Sequence, residues 1–378
     1  MTKIKVNKYV TLDKVAYFAN EKIESKYLNN KNYISTENML PDKSGITISL
    51  SNPQGNNKSK FSEDDILLSN IRPYFRKIWF ANISGGCSND ILVLKAKDNI
   101  CPKFLYYALS DNNFFNYATV TSKGTKMPRG SKHAIMKYLV PNLDQSEQKR
   151  ITNILSTYDD LIENNNRRIE LLEKSAQELY KEWFVRFRFP NYENTKFVNG
   201  LPEGWSKGKF KNNVKYITGK LDSNAMKDEG EFSFYTCAKT IYKTNTFCFD
   251  GECVLLGGNN ATGDFSLFYA NEKLDAYQRT YIITPLNNNI GCSYIYFVLK
   301  NYLMHLKHAS IGATTKFLTK SILDKINIVL PDKMIANQFN KIVSSIFLEM
   351  SKLKLNNVNL KKQRDLLLPR LISGKLEV

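Results

Sequence analysis

Apolar positions along the chain follow two rhythms. Short runs bounded by polar, turn-rich segments read as buried strands and short helices, and two long stretches step by fours and threes. In the first stretch Ile151, Leu155, Tyr158, Ile162, Asn165, Ile169, Leu172, Ala176, Leu179 and Trp183 fall on one face, the pattern of a coiled-coil seam. The second repeats it with Val343, Ile346, Met350, Leu353, Asn357, Leu360, Arg364, Leu367 and Leu371. Asp144 is placed to cap the first helix with Glu147 reaching back, and the helix must end before Pro190. Pro369 is expected to kink the last turn or two of the second, and Ser373-Gly374 supplies its stop. A run of about 40 residues at 1.5 Å each is about 60 Å long, and one apolar stripe needs a partner to cover it. The other helix is that partner, packed antiparallel. Centring the pair sets Ile169 against Leu353, Ile162 against Leu360, Leu172 against Met350 and Asn165 against Asn357.

The rest of the chain is one unit written twice. Asp65-Ile66-Leu67-Leu68 reads like Cys253-Val254-Leu255-Leu256, 188 positions on. Asn89 to Leu94 matches Arg279 to Thr284, and Phe104 to Leu109 matches Tyr294 to Leu299, both 190 positions on. Each of the latter pair precedes a loop with a glycine, Gly124 and Gly312, and each half closes with a proline, Pro141 and Pro331. A glutamine follows seven residues later, Gln148 and Gln338. The order is therefore globular, helix, globular, helix, partitioned as 1–143, 144–189, a linker 190–200, 201–331 and 332–378.

A length of 378 residues fits two domains, and 42% hydrophobic with 12% aromatic content excludes a disordered chain. A formal charge of +18 suits a polyanion such as nucleic acid. The polar start and the lack of a long apolar run lead to the expectation of a cytoplasmic protein without a membrane span. Six scattered cysteines form no C-x-x-C pair, and His305 and His308 have no nearby carboxylate or cysteine, so no metal site is expected.

Three segments resemble a known family. Glu147 to Glu173 with Gln177 to Pro190 is similar to the central conserved region of type I restriction-modification specificity subunits. Gln363 to Leu376 resembles their C-terminal conserved region, and Gly200-Leu201-Pro202-Glu203-Gly204-Trp205 resembles the usual opening of their second target recognition domain. The second helix departs by opening with Asn337-Gln338 where the first has Glu147-Gln148. The resemblance implies an α+β fold: two similar mixed α/β target recognition domains, separated by two long helices packed as an antiparallel coiled coil, with pseudo-two-fold symmetry. It implies that each domain reads one half of a split double-stranded DNA target, that the helices set the gap, and that the helices dock two methyltransferase subunits and the restriction/translocase subunits. S-adenosylmethionine, ATP and Mg are then expected on those partners and no cofactor on this chain, which serves adenine methylation and defence against foreign DNA without catalysing either.

Base edges and phosphates are met by basic and amide side chains on loops. In the first domain these are expected to be Ser69, Asn70, Arg72, Tyr74, Arg76 and Lys77, with Lys123, Thr125, Lys126, Arg129 and Lys132. In the second they are Asn259, Asn260, Thr262, Gln278, Arg279, Thr314, Thr315 and Lys316, the two asparagines suiting adenine. Partner contacts are expected from Gln148, Arg150, Asn164, Arg167, Tyr180, Trp183, Phe184, Gln338 and Arg364 on the helices. No carboxylate cluster of a nuclease is visible, and Asn52-Pro53-Gln54 lacks the second proline and aromatic of an adenine methyltransferase loop. The alternatives are a stand-alone bipartite DNA-binding protein, separable by co-purification, and a chain that itself cuts or modifies DNA.

Overall fold

The computed structural model describes residues 9–50, 53, 55–286 and 290–376. The first eight residues, with their polar start, and Asn52 and Gln54 lie outside the described residues. The chain divides into two compact units, Met1–Asn164 with Asn356–Val378, and Asn165–Leu355. Each unit therefore combines one globular domain with a stretch of both long helices, whereas the sequence partition kept each helix whole.

Those helices span Gln145–Tyr180 and Lys333–Ile372. The first opens on the expected capping box: Glu147 N–H donates to Asp144 Oδ1 at 2.8 Å, and Asp144 N–H donates to Glu147 Oε2 at 3.3 Å. It passes into a π-helical turn at Lys181–Val185 before Pro190. The second starts at Asp332, whose Oδ1 accepts from Met334 N–H at 2.7 Å, carries Pro369 inside it, and stops at Gly374 with φ +68°. None of the predicted seam positions in either helix is exposed.

In the first unit an antiparallel sheet runs in the order Ala16–Phe18, Ile91–Ala96, Ile66–Ser69, Ile78–Phe80. A second sheet holds Lys22–Glu24, Asn57–Phe61, Gly85–Cys87 and Tyr33–Ile34. One face of the first sheet packs on the helices Pro102–Leu109 and Asn112–Val120. Ile151 and Leu155 of the first long helix and Leu368, Leu371 and Ile372 of the second join this core. Low numbers meeting high numbers is antiparallel packing, and each buried Leu or Ile contributes about 1.5–3 kcal/mol. Burying these side chains leaves a polar junction to satisfy. Tyr107 Oη donates to Asp159 Oδ2 at 2.6 Å, and Arg364 forms an ion pair with Asp159 and a second with Asp365 at 2.9 Å. Burial works against the charge on Arg364, but the Asp159 carboxylate outweighs it and holds the guanidinium pKa above its usual value.

The second unit is built around a six-stranded sheet in the order Val214–Thr218, Thr280–Pro285, Phe249–Gly257, Leu267–Ala276, Phe232–Tyr235, Tyr242–Thr244. The helix Cys292–Ala309 covers one face. Here too the long helices run antiparallel, since Arg168 meets Glu349 at 3.0 Å while Phe184 stacks edge-on against Phe339 with ring centroids 4.8 Å apart. Leu172 and Met350 share this core as expected. Asn357 is buried in the first unit and Asn165 half-buried in the second.

The strand ladders correct one repeat alignment. Leu68 pairs with Leu92 and Leu256 with Tyr281, so the strand Ile91–Ala96 matches its counterpart at an offset of 189, not the 190 assigned from sequence. A buried strand reads as a nearly continuous apolar run, and such a run hides a one-residue slip. Among the described residues no helix is long and apolar enough to cross a membrane.

Removing one partner from the Asp159–Arg364 pair strands a half-buried charge. Arg364→Leu is expected to destabilise the protein by about 3 kcal/mol, and Asp159→Leu combined with Arg364→Leu to recover most of that loss. Thermal and urea unfolding measure both; a single variant as stable as wild type would show that the pair does not hold the unit.

Candidate nucleic-acid interface

The loops that leave the sheets come together through backbone hydrogen bonds. In the first unit Asn70 N–H donates to Asp90 O at 2.8 Å, and Asn70 O accepts from Gly130 N–H at 3.0 Å. The chain 123–129 closes as a hairpin, with Lys123 N–H donating to Arg129 O at 2.9 Å and Arg129 N–H to Lys123 O at 2.8 Å. Ile71 bridges to Arg129 and latches the hairpin to the strand exit.

The second unit repeats this frame. Gly258 N–H donates to Arg279 O at 2.7 Å, and Gly258 O accepts from Leu318 N–H at 2.8 Å. Ile311 and Phe317 exchange hydrogen bonds of 3.1 and 2.8 Å, and Asn259 pairs with Phe317. Positions 70, 71, 123, 129 and 130 thus recur 188 residues later. Both hairpins turn at a glycine with positive φ, +93° at Gly124 and +119° at Gly312. At Gly312 a Cβ would stand 2.0 Å from Thr315 O, so no larger residue fits. Main-chain hydrogen bonds repeat in both frames, while the side chains that add to them differ: Tyr281 Oη donates to Leu318 O at 2.9 Å in the second unit, and Arg129 pairs with Asp90 in the first.

Many predicted residues gather on these two surfaces. Lys123, Thr125 and Lys126 on the first hairpin, Thr314, Thr315 and Lys316 on the second, and Gln278 beside it make no side-chain hydrogen bond or ion pair among the described residues. Lys132 is exposed, its Nζ 5.8 Å from the Phe18 ring centroid. Tyr74 is exposed on a 3₁₀ turn flanked by Arg72 and Arg76, both left-handed with φ of 49° and 52°. Non-glycine residues in that region carry strain of about 1–3 kcal/mol, held here by Arg72 N–H on Pro128 O at 2.8 Å and Lys43 N–H on Arg76 O at 2.9 Å. Asn70 Oδ1, Arg72 Nε and Asn259 Oδ1 are buried without partners among the described residues.

Other predicted residues already have partners within the chain. Ser69 is buried, and its hydroxyl donates to Ile71 O at 3.2 Å, making it part of the frame. Lys77 Nζ donates to Thr36 O at 2.7 Å, which turns the ammonium toward its own unit, and burial lowers its pKa. Asn260 Oδ1 accepts from Thr262 N–H at 2.8 Å, Thr262 Oγ1 at 2.9 Å and Asp264 N–H at 3.1 Å, so this oxygen caps the turn and is unavailable for an adenine amino group. The same bonds occupy Thr262. Arg76 is paired with Asp42 and Arg129 with Asp90 at 2.9 Å. Asp42, Asp90 and Phe317, which touches Arg279, were absent from the sequence prediction. Asp90 becomes visible once the strand offset is 189, because it then falls opposite Arg279.

Helix residues expected to meet partners divide sharply. Arg150, Asn164, Arg167 and Gln338 are exposed. Gln148 is 1% exposed, its Oε1 accepting from Cys101 N–H at 2.8 Å and its Nε2 donating to Leu143 O at 2.9 Å. Tyr180, Trp183 and Phe184 are buried in the aromatic core of the second unit, and Arg364 is held by Asp159. The side chains of these five are engaged in contacts within this chain. Gln338 does not repeat the task of Gln148; in the second unit Asn340 Oδ1 accepts from Ser293 Oγ at 2.7 Å near the start of the covering helix. Among the described residues no cluster of His, Cys, Asp or Glu forms a metal site, and all six cysteines are free.

Comparison with known proteins matches the type I restriction modification DNA specificity domain twice along the chain, at residues 6–174 and 202–360. The type I restriction enzyme MjaIX specificity subunit of Methanocaldococcus jannaschii is 27% identical over 311 residues, 75% of this chain and 71% of that protein. The EcoDI specificity subunit of Escherichia coli is 31% identical over 182 residues, 47% of this chain and 39% of its own length. The crystal structure of the type I restriction-modification S subunit from M. genitalium shares the fold, with a TM-score of 0.60 at 17% identity over 97% of this chain and 96% of that one.

Gly312→Ala is expected to open the second hairpin, with amide exchange at Ile311 and Phe317 rising at least about tenfold, the factor that accompanies 1.4 kcal/mol. Gly124→Ala meets only Met127 O at 3.6 Å and is expected to open its hairpin less. Unchanged protection in Gly312→Ala would rule out the latch.

Proposed function

Because the chain belongs to the type I restriction modification DNA specificity family, we propose that it reads a bipartite double-stranded DNA target, one half-site with each latched-hairpin surface. The observation that carries this reading is the frame built twice at an offset of 188, which offers two comparable surfaces with different side chains. A net charge of +18 and unpartnered basic or hydroxyl side chains on both hairpin tips support it. In this reading the chain makes and breaks no bonds. Methyltransferase subunits, and restriction subunits in the full complex, dock on the exposed sides of the long helices, around Arg150, Asn164, Arg167 and Gln338, and bring S-adenosylmethionine, ATP and Mg with them. The first long helix is the covalent path from one domain to the other, and the second packs along it within each unit, so their length enters the specificity.

Two measurements test the reading. Lys126→Ala and Lys316→Ala are each expected to weaken binding to every duplex and to lower the slope of log affinity against log salt by about one. Adding one heptad to each long helix preserves the seam and adds about 10 Å, so methylation mapping is expected to show a gap longer by about three base pairs. An unaltered gap would remove the helices from the specificity.

A further inference from the structure

The repeated frame places one side-chain pair at the same spot in both units, and the two pairs differ in kind. In the first unit Asp90, whose carbonyl receives the Asn70 amide, forms an ion pair of 2.9 Å with Arg129 of the hairpin. In the second, Arg279 receives the Gly258 amide, and the hairpin residue equivalent to Arg129 is Phe317. The Arg279 guanidinium carbon lies 5.2 Å from the Phe317 ring centroid. Arg279 is exposed, and its guanidinium makes no hydrogen bond or ion pair among the described residues. An ion pair that neutralises an arginine in one unit is thus replaced by an aromatic platform under an unneutralised arginine in the other.

We infer that Arg279 reads a guanine in the half-site of the second unit, with Phe317 as the positioning residue that holds its fork. A guanidinium stacked on a ring loses rotational freedom about its stem while its outward N–H donors stay directed away from the ring. Two parallel donors in one plane match guanine O6 and N7, the pairing that gives arginine its base selectivity. A phosphate would serve both half-sites equally, so a phosphate contact at this position would be needed in both units. The first unit instead carries Asp90 there, and a side chain that must change between half-sites is one that meets bases. Lys316 on the same hairpin is free to serve the backbone.

The inference rests on the DNA-reading proposal, and selection of bound duplexes from a randomised library by the full-length protein separates the two. Wild type is expected to enrich a guanine at one position of one half-site, by about five- to 150-fold over other bases. Arg279→Lys keeps the charge but replaces the planar fork with a single ammonium and is expected to weaken that preference with the salt dependence unchanged, and Arg279→Gln to shift it toward adenine. Phe317→Leu is expected to weaken the preference and Phe317→Tyr to retain it, with the same thermal unfolding in both, a contrast that a purely structural role for the ring would not produce. An Arg279→Gln variant that keeps the guanine preference overturns the inference, as does a uniform loss across all sequences with the salt slope lower by about one, which marks a phosphate contact. If wild type enriches no sequence, the DNA-reading proposal falls and this inference with it.

Discussion

A long helix with one apolar stripe on an otherwise charged surface is stable only if the stripe is covered, and this chain has two such helices and no shorter way to bury them. Within each unit the stripe of one helix meets the stripe of the other and a domain core at once. Ile151 and Leu155 lie with Leu371 beneath the first sheet, and Ala176 and Tyr180 lie with Phe339 and Val343 beneath the helix Cys292–Ala309. Domain and spacer therefore share a core in each unit.

That shared core sets where polar chemistry can go. Tyr107, Asp159 and Arg364 satisfy one another where the first unit closes, and Tyr296 with Lys300 does the same around Glu173 in the second. Burial opposes the charge of Glu173, and the Lys300 ammonium overcomes it, so the carboxyl titrates below its ordinary value. Residues such as Gln148, Trp183 and Arg364 look like surface recognition groups by type, yet the geometry turns them inward to hold these junctions.

The two hairpin surfaces obey a different rule. The hydrogen bonds repeated in both frames run between main-chain donors and acceptors, which every non-proline residue carries, so residues of different type can stand at equivalent positions such as 129 and 317. Asp90 with Arg129 and Arg279 with Phe317 are two fillings of one frame. Strain at Arg72 and Arg76 and the unpartnered atoms of Asn70 and Asn259 cluster on the same surfaces, where a rigid scaffold can tolerate them.

Sequence by itself determined the features that depend on a fixed period. The helix repeat placed every seam position from Ile151 to Leu371, the Asp144–Glu147 cap was local chemistry, and Gly124 and Gly312 marked their turns at a spacing of 188. Tertiary structure decided what the period leaves degenerate. A buried strand tolerates a one-residue slip in sequence, and only the ladder of Leu68 with Leu92 and Leu256 with Tyr281 removed it. Burial off the seam, too, is a property of the assembled core: Gln148, Tyr180 and Phe184 are interior because Cys101, Phe297 and Tyr294, all remote in sequence, fill their hydrogen-bonding and apolar needs.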